Sequence, residues 1–390
     1  LFKRKKKALY ACFIDLKKPF NSIWHDGLYY KLYQYGFSSK IVNIITDIYS
    51  SAKGKVKIKN DNVNLIGDSF PVQKGTRQGC NLRPNLFNIF INDLPTRLEN
   101  LNCDPVTIQN QKISSLLFAD DIVILSTSEK GLQKALDTVN TYCKEWKLTV
   151  NISKTKIMIC NKKFKSCSQL IFKMGNHLLE VCNEIVYLGI VFVPSGSFLK
   201  TEKRLSNKAK KSYASWRSAI SNNTMHIHEV QIKTKLFDMI SKPILLFGSG
   251  VWFAFDNIFK DPNKLSSYIW IQDKKAFNSL HSKVCKYILQ VPKHSSNIAS
   301  LAELGRYPIM CDILLEILSY WKRISSICSN VLVNKVFQLH KHVSNSNMSV
   351  YMKNIYNICK FLDICMDSIP SRRELKNIIF NKYKLFFFDR

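Results

Sequence analysis

The stretch SSLLFADDIVILST, residues 114–127, places two adjacent aspartates between two runs of apolar and β-branched residues. This pattern predicts a β-hairpin, and a tight turn at Ala119–Asp121 would present both carboxylates at its tip. Adjacent carboxylates raise each other's pKa unless a cation intervenes, and neither flank offers a basic residue. An oxygen-only site suits Mg²⁺, whereas a solvent-exposed loop is the alternative for an isolated aspartate pair.

A third carboxylate follows another apolar strand. The segment YACFID ends at Asp15, and a helix is predicted after it. If the two strands are neighbours, Asp15 lies against Asp120 and Asp121. Such a triad can hold two metal ions, one activating a 3′-hydroxyl and one holding a triphosphate. Spacing alone does not establish that the strands are neighbours.

The charge balance predicts a polyanionic partner. The chain of 390 residues has 58 Lys and Arg against 28 Asp and Glu, a formal net charge of +30. A nucleic acid would offset the self-repulsion of such a chain, and an anionic membrane surface is the weaker alternative. No apolar run reaches the roughly 18 residues of a membrane-spanning helix, so no membrane is expected.

The cysteines indicate the compartment. The 12 cysteines form no C-x-x-C pair and no zinc-finger spacing, and most lie in apolar surroundings as free thiols do. We therefore expect a reducing, intracellular environment. The first residue is Leu rather than Met, which we interpret as the mark of a fragment.

Apolar periodicity predicts a mixed α+β region up to about residue 195 and a mainly helical region after it. Helices are predicted at 26–36, 38–51, after Pro84, near 129–146 and from 199 onward. The strands are predicted in these segments: ALYACFID, KVKIKN, SFPVQ, the hairpin at about 112–127, KTKIMIC, QLIFKM and IVYLGIVFV.

Five ordered motifs carry a resemblance to a known family: FIDLKKPF, KGTRQGCNLRPNLFNIFINDLP, LFADDIVILS, KLTVNISKTKIMI and YLGIVF. They resemble the palm motifs of reverse transcriptases, specifically those of non-LTR (LINE-type) retrotransposons. The resemblance implies a right-hand polymerase palm, an antiparallel sheet with packed helices, followed by a helical thumb and a C-terminal helical extension. We expect the palm at 1–195 with most of the fingers region missing, a thumb-like region at 196–255 and the extension at 256–390.

The resemblance also implies catalytic roles. Asp15 and Asp120 match the two main metal ligands of the family, and Asp121 is the third acidic member. Phe20, five residues after Asp15, matches the aromatic gate that crowds a 2′-hydroxyl, although core packing would also explain it. Lys154 matches a lysine that neutralises or protonates the departing pyrophosphate. Lys156 is the second choice, and a solvated lysine is the alternative for both.

Two further motifs match substrate-binding segments. The RQG motif corresponds to residues that meet the incoming nucleotide and template, and its glycine allows close backbone approach. Its residues are Arg77, Gln78 and Gly79. The YLG motif, Tyr187, Leu188 and Gly189, resembles the primer grip. A plain loop and a short apolar strand are the respective alternatives.

The helix predicted at 199–217 has seven basic residues and one acid, Glu202. It fits a thumb that contacts nucleic-acid phosphates, and a solvated helix face is the alternative. The residues expected to contact the backbone are Lys203, Arg204, Lys208 and Lys211. The basic opening LFKRKKK has the same two interpretations. The motifs HIH (226–228) and HKH (340–342) lack acidic or Cys partners and are interpreted as structural or surface residues.

Some positions depart from the family pattern. Pro19 replaces a small residue, Asn21 a common Asp, Asn81 a frequent Pro and Arg83 a frequent Ser. Pro19 is expected to distort the turn after Asp15, and Arg83 to bring charge to the nucleotide pocket. Endonuclease, ribonuclease H and Cys/His knuckle patterns are also absent from the sequence.

These features predict an RNA-directed DNA polymerase of a LINE-type element. Its expected cofactor is two Mg²⁺ ions, with Mn²⁺ possible, and its expected partners are an RNA template, a DNA primer or target, and dNTPs. We expect it inside the cell, in the nucleus and/or cytoplasm, as a ribonucleoprotein. The alternatives are a catalytically inactive nucleic-acid-binding remnant and, more weakly, an RNA-templated RNA polymerase, against which Phe20 argues.

Overall fold

The computed structural model describes most of the chain, in the ranges 8–60, 63–108, 111–160, 170–222, 230–255, 259, 276–327, 332–341 and 349–388. The chain divides into two compact units. The first comprises Leu1–Gly189 with Val193–Gly196, and the second comprises Ile190–Phe192 with Ser197–Arg390. The predicted boundary near residue 195 falls where the two units interleave, and the further division near 255 stays a prediction.

A six-stranded sheet forms the centre of the first unit. From one edge to the other, its strands are β11 (Phe172–Met174), β12 (His177–Val181), β10 (Lys156–Cys160), β1 (Leu9–Ile14), β9 (Asp121–Ser126) and β8 (Ser115–Phe118). Strand β1 therefore lies between β9 and β10 and is antiparallel to both. Strands β10 and β12 pair in parallel, so the predicted antiparallel sheet has this one exception among the described strands.

Helices accompany this sheet and contribute buried apolar residues to its core, although Ile41 and Ile44 are exposed. They are α1 (Pro19–Ser22), α2 (His25–Gln34), α3 (Ser39–Ser50), α4 (Arg83–Ile91), α5 (Leu94–Asn100) and α6 (Glu129–Glu145). The predicted apolar stripe after Pro84 is buried, but it runs over two helices rather than one. The helical hydrogen bonding is interrupted at Asn92 and Asp93, just before Pro95, which occupies the first turn of α5.

Short two-stranded pairs complete the first unit. They are β2 (Lys53–Gly54) with β5 (Phe70–Pro71), β3 (Lys57–Asn60) with β4 (Val63–Ile66), and β6 (Val106–Ile108) with β7 (Gln111–Ile113). A further strand, β13, spans Ile185–Tyr187. The strands predicted in KVKIKN and SFPVQ are thus confirmed, whereas β12 was not predicted because its sequence HLLEV lacks strict alternation.

A buried lysine ties three helices of the first unit together. The ammonium of Lys31 donates hydrogen bonds to Phe90 O, to Asp93 Oδ1 at 2.6 Å and to the Tyr142 hydroxyl at 2.7 Å. The ring of Trp146 covers it, with the ammonium 3.7 Å from the ring centroid. Burial lowers the pKa of Lys31 to about 8, and the hydrogen bond to Asp93 opposes that change. The hydrogen-bond partners of Lys31 therefore stabilise its protonated form inside the protein.

The described residues of the second unit are helical or irregular apart from strand β14 (Ile190–Phe192). Its helices are α7 (Leu199–Asn222), α8 (Val230–Leu236), α9 (Lys242–Leu246), α10 (Ser249–Trp252), α11 (Ala276–Leu289), α12 (Asn297–Glu303), α13 (Ile309–Ser325), α14 (Leu332–Lys341), α15 (Val350–Phe361) and α16 (Arg372–Phe388). Helix α13 lies at the centre of this unit, and one hydrophobic core draws residues from α7 through α16. The predicted helical character after residue 199 is confirmed.

The apolar run 244–255 is broken within the second unit. Gly248 has φ 63°, a conformation that suits glycine, and it separates α9 from α10. In the described ranges, no single helix has the length and hydropathy of a membrane span, although Val230–Leu246 and Ser249–Phe255, bent by 41°, meet those criteria together.

The Lys31 site generates a stability prediction. Lys31→Ala should lower the free energy of unfolding by about 3 kcal/mol, because it removes the ammonium that pairs with Asp93 and empties the space of a buried side chain. Lys31→Met should cost less, since it keeps the packing of the aliphatic stem. The exposed Lys40→Ala serves as the control and should change stability by less than about 0.5 kcal/mol. Denaturant unfolding measures all three, and equal losses for Lys31→Ala and Lys40→Ala would contradict the assignment.

Candidate active site

The register of β1 against β9 brings two of the three predicted carboxylates together. Ile14 pairs with Ile122 in this antiparallel ladder. Continuing the register by one residue sets Asp15 opposite Asp121. The expectation that the two strands are neighbours is therefore confirmed, and like charges face each other at one end of the sheet.

The hairpin of β8 and β9 turns where it was predicted to turn. Phe118 pairs with Asp121, so the loop between the strands consists of Ala119 and Asp120. Ala119 adopts φ 53°, the positive value that a two-residue hairpin loop requires at its first position. Asp120 thus lies in the turn itself and Asp121 begins the returning strand.

The carboxylates carry negative charge that protein groups neutralise only in part. Burial raises the pKa of Asp121, and the nearby charges of Asp120 and Asp15 raise it further. The ammonium of Lys154 lies 3.9 Å from Asp15 Oδ2. The oxygen donors suit a hard divalent cation such as Mg²⁺. In the described part of the chain, however, no three acidic, His or Cys side chains are grouped closely enough to form a metal cage as they stand.

The loop after α6 orients Asp15, which sequence reasoning missed. Asn151 Nδ2 donates to Asp15 Oδ2 at 2.9 Å, and its backbone N–H donates to Asp15 O at 2.7 Å. The buried Thr155 accepts a hydrogen bond from the Asp15 backbone N–H at 3.2 Å. Both residues belong to the motif NISKTK, in which the sequence pattern had indicated a role for the lysines alone. Lys156 instead pairs with Glu180 at 3.0 Å, so Lys154 is the lysine beside the carboxylates.

Phe20 lies in the same unit, between Phe87 and the loop that contains Gly75 and Thr76. Its ring centroid is 5.0 Å from that of Phe87, and its backbone carbonyl accepts from Thr76 N at 2.8 Å. Gly75 is required here, because a Cβ at that position would lie 2.8 Å from the backbone of Asn21. The RQG residues that follow are exposed, and Gly79 has φ 82° with open space around it.

Two positions that depart from the family pattern contact each other. Arg83 Nη2 donates to Asn21 Oδ1 at 3.0 Å, and the guanidinium carbon lies 4.8 Å from the ring centroid of Phe20. The charge of Arg83 therefore lies beside Phe20 and is held by Asn21, while its expected place in a nucleotide pocket stays a prediction. Pro19 begins helix α1 at a position where its missing N–H costs nothing, but Lys18 before it adopts φ 46°, so the turn after Asp15 is distorted next to Pro19.

The YLG segment lies near the carboxylates. Tyr187 packs edge-on against Phe13 of β1, with ring centroids 5.3 Å apart. Burial raises the pKa of Tyr187, and the charge of Asp121 adds to that rise. Leu188 and Gly189 follow with φ of 47° and 80°, which makes the segment a tight turn.

The sequence of this unit matches a protein family. Residues 1–192 match the family described as reverse transcriptase (RNA-dependent DNA polymerase). Residues 1–192 form a reverse transcriptase domain. The resemblance expected from the five motifs is confirmed, and the domain contains every position discussed above for the first unit.

The relatives of this reverse transcriptase domain are polymerases of mobile elements. The chain is 26% identical over 255 residues to the probable RNA-directed DNA polymerase from transposon BS of Drosophila melanogaster, covering 63% of this chain and 27% of that protein. It is 25% identical over 259 residues to the polymerase from mobile element jockey of Drosophila funebris, covering 64% and 26%. The chain thus matches about a quarter of the length of these relatives.

Two other similarities are weaker or cover less of the chain. A Pol polyprotein of the type-1 retrotransposable element R2 from Nasonia vitripennis is 29% identical over 197 residues, covering 48% of this chain and 18% of that protein. Apo telomerase from Candida Tropicalis shares 13% identity at a TM-score of 0.35, covering 86% of this chain and 54% of that chain.

The basic residues predicted to contact nucleic acid lie on α7 of the second unit. Buried residues such as Leu205 and Ala209 line its inner side, while the basic side chains are exposed. The exposed residues predicted to contact the backbone are Lys203, Arg204, Lys208 and Lys211. Glu202, the one acid of the predicted segment 199–217, is buried. The side chains of the HIH and HKH motifs and the LFKRKKK segment lie outside the described residues.

The raised pKa of Asp121 generates a prediction about stability. Its folded-state pKa lies above the ordinary value of 3.8, so the folded state binds more protons between the two values. The free energy of unfolding therefore falls as pH rises through that window, and the cost of the ionised group persists at pH 7. Asp121→Asn removes this cost. It should raise the melting temperature by about 2 °C at pH 7 in EDTA, with the gain shrinking as pH falls toward 4.

The matched control is Asp68→Asn, which makes the same charge change at an exposed position outside the helices and strands. Differential scanning calorimetry compares the two variants with the parent chain. A melting temperature for Asp121→Asn at or below that of Asp68→Asn would show that Asp121 is not under electrostatic strain.

Proposed function

We propose that this chain is an RNA-directed DNA polymerase of a LINE-type retrotransposon. In the proposed reaction, the 3′-hydroxyl oxygen of a primer bonds to the α-phosphorus of a dNTP. The bond from that phosphorus to the pyrophosphate oxygen breaks, and the hydroxyl proton leaves. The proposed partners are an RNA template, a DNA primer or target, and dNTPs.

One observation carries the proposal: in a domain of the reverse transcriptase family, the β1–β9 register sets Asp15 opposite Asp121 beside the turn that holds Asp120. Repulsion among three carboxylates is a cost that a purely structural site would avoid. Cations that bind together with the substrate would neutralise these carboxylates, and this explains why the site tolerates their repulsion. Fold alone would not support this conclusion, because function is argued from the site.

Asp15, Asp120 and Asp121 are the residues proposed to hold Mg²⁺, with Mn²⁺ as a possible substitute. When bound, two such ions would lower the pKa of the primer hydroxyl and neutralise part of the charge of the triphosphate. The hydrogen bond from Asn151 keeps Asp15 facing this site, so we assign Asn151 as a positioning residue. The raised pKa of Asp121, which reflects burial and two nearby negative charges, supports a site where bound cations neutralise the carboxylates.

Lys154 is proposed to neutralise or protonate the departing pyrophosphate. Its ammonium lies 3.9 Å from Asp15 Oδ2, a longer separation than the 3.0 Å between Lys156 and Glu180, and its side chain is 70% exposed. It is therefore free to reach an incoming phosphate. Lys156 is held by Glu180 and is the weaker candidate.

Phe20 and the RQG loop are proposed to select the nucleotide. A ring in this position crowds a 2′-hydroxyl, the group that separates ribonucleotides from deoxyribonucleotides. The guanidinium carbon of Arg83 lies 4.8 Å from the centroid of this ring, so a positive charge lies beside it. Arg77 and Gln78 offer exposed donors, and Gly79 allows a phosphate or base to approach the backbone.

Nucleic acid contacts are proposed for two segments. The turn at Tyr187, Leu188 and Gly189 is proposed to hold the primer end, because Tyr187 lies within electrostatic reach of Asp121. Four exposed cations of α7 are proposed to contact phosphates of the duplex: Lys203, Arg204, Lys208 and Lys211. The net charge of +30 supports a polyanionic partner.

We further propose that the protein works inside the cell, in the nucleus and/or cytoplasm, as a ribonucleoprotein. The described cysteines are free thiols and most of them are buried. Unpaired thiols of this kind suit a reducing compartment. The RNA template would supply the nucleic-acid component of the particle.

Primer extension tests the proposal. The 390-residue chain is incubated with an RNA template, an annealed DNA primer, dNTPs and Mg²⁺, beside its Asp15→Asn and Asp120→Asn variants. Each substitution should reduce extension by about a hundredfold or more, because a metal ligand is lost while the fold is retained. Ribonucleotides should be incorporated less well than deoxyribonucleotides if Phe20 acts as a gate.

Asp68→Asn again supplies the control with the same charge change, and it should extend the primer as the parent chain does. Extension that survives in Asp15→Asn or Asp120→Asn would refute the assignment of the carboxylates. No extension by any form, with salt-sensitive binding to the template, would instead identify the chain as an inactive nucleic-acid-binding remnant. Preferred use of ribonucleotides would favour an RNA polymerase.

A further inference from the structure

A pocket in the second unit lies between α7 and α11, and none of its lining residues is among those assigned above to the reaction. Its volume is about 470 Å³, within the range of small-ligand sites. The residues that line it are Lys210, Tyr213, Ala214, Arg217, Ser218, Ser279, Leu280 and Lys283. The helix α7 contributes one wall and α11 the other.

Three cations surround this pocket without acidic partners. Lys210, Arg217 and Lys283 are exposed, none of them forms an ion pair within the described residues, and the lining includes no acid. Arg217 is positioned in advance, since its guanidinium carbon lies 4.7 Å from the ring centroid of Tyr287. Like charges held around one concavity repel each other, so a bound anion would stabilise the arrangement.

The floor of the pocket is apolar with hydroxyl groups at its edge. Tyr213 and Leu280 are 5% and 2% exposed. Burial raises the pKa of Tyr213, so its phenol is neutral at physiological pH, although the neighbouring Arg217 opposes the rise. Ser218 and Ser279 are exposed and can donate to an anion. A ligand here would thus combine negative charge with a less polar portion.

The pocket faces a different side of α7 from most of the residues predicted to contact nucleic-acid backbone. At 100° per residue, Lys210 and Arg217 share one stripe, two helical turns apart, and Lys203 continues it. Arg204, Lys208 and Lys211 lie roughly 130° around the helix from that stripe. A duplex lying along the second face would therefore leave the pocket open to another group.

We propose that this pocket binds a terminal phosphate carried by one nucleotide, either free in solution or at the end of a nucleic-acid strand. A phosphomonoester carries close to two negative charges at neutral pH and offers three acceptor oxygens, which matches three cationic donors better than the single charge of a backbone phosphodiester does. The remaining volume and the apolar floor would take the sugar and base. This function goes beyond polymerisation and does not require it.

Binding without metal or dNTPs tests the proposal. Fluorescence anisotropy compares a short 3′-labelled DNA oligonucleotide bearing a 5′-phosphate with the same oligonucleotide bearing a 5′-hydroxyl. The parent chain should bind the phosphorylated form on the order of tenfold more tightly. Lys283→Gln should abolish that preference, and Arg217→Gln should do the same if it folds. Lys353→Gln, an exposed lysine of α15 outside the pocket, makes the same charge change and should keep it.

Competition distinguishes the two sources of the phosphate. Displacement of the phosphorylated oligonucleotide by deoxyadenosine monophosphate, but not by deoxyadenosine, would show that a free nucleotide occupies the pocket. Preference for the phosphorylated strand without such displacement would assign the pocket to a strand end. Equal binding of both oligonucleotides with no effect of the monophosphate, or a preference that survives in Lys283→Gln, would overturn the proposal. Asp120→Asn should retain the preference, so failure of the polymerase assignment is seen separately.

Discussion

The antiparallel register between β1 and β9 is the constraint on which the rest of the site depends. It sets Asp15 opposite Asp121 and leaves Asp120 in the adjoining turn. A slip of one residue would move the side chain to the other face of the sheet, so a hydrophobic core on one side also fixes where the carboxylates point. Ile122 and Ile124 are fully or almost fully buried on that core side and hold the register.

The surrounding structure supports this arrangement at some cost. Asn151 and Thr155 tie the end of β1 to the loop before β10, so their hydrogen bonds hold Asp15 from the side of β10. The Lys31 network holds α2, α4 and α6 together beneath the sheet. Electrostatic strain at Asp121 is the reverse of what stability alone would select, which is typical of functional sites. The domain is therefore rigid where the carboxylates are anchored.

Local patterns predicted much of the fold, and long-range contacts limited the rest. Apolar periodicity was sufficient for α6 and for the hairpin at Ala119, because those signals repeat within a few residues. The pairing of Asp15 with Asn151 joins positions far apart in sequence, and no local signal marks it. Lys31 has the spacing of any helical lysine, so its burial was not foreseen. The contact of Asn21 with Arg83 was likewise visible only in the folded chain.

The measurement that tests the central claim most directly is anomalous diffraction from crystals of the chain soaked with Mn²⁺ and a dNTP. Manganese replaces magnesium at oxygen sites and scatters anomalously, so it reports the position of the ions independently of catalytic rate. We predict anomalous density in contact with the carboxylates of Asp15 and Asp120, beside Asp121 at the start of β9. Ordered manganese bound elsewhere, with none at these carboxylates, would contradict the account.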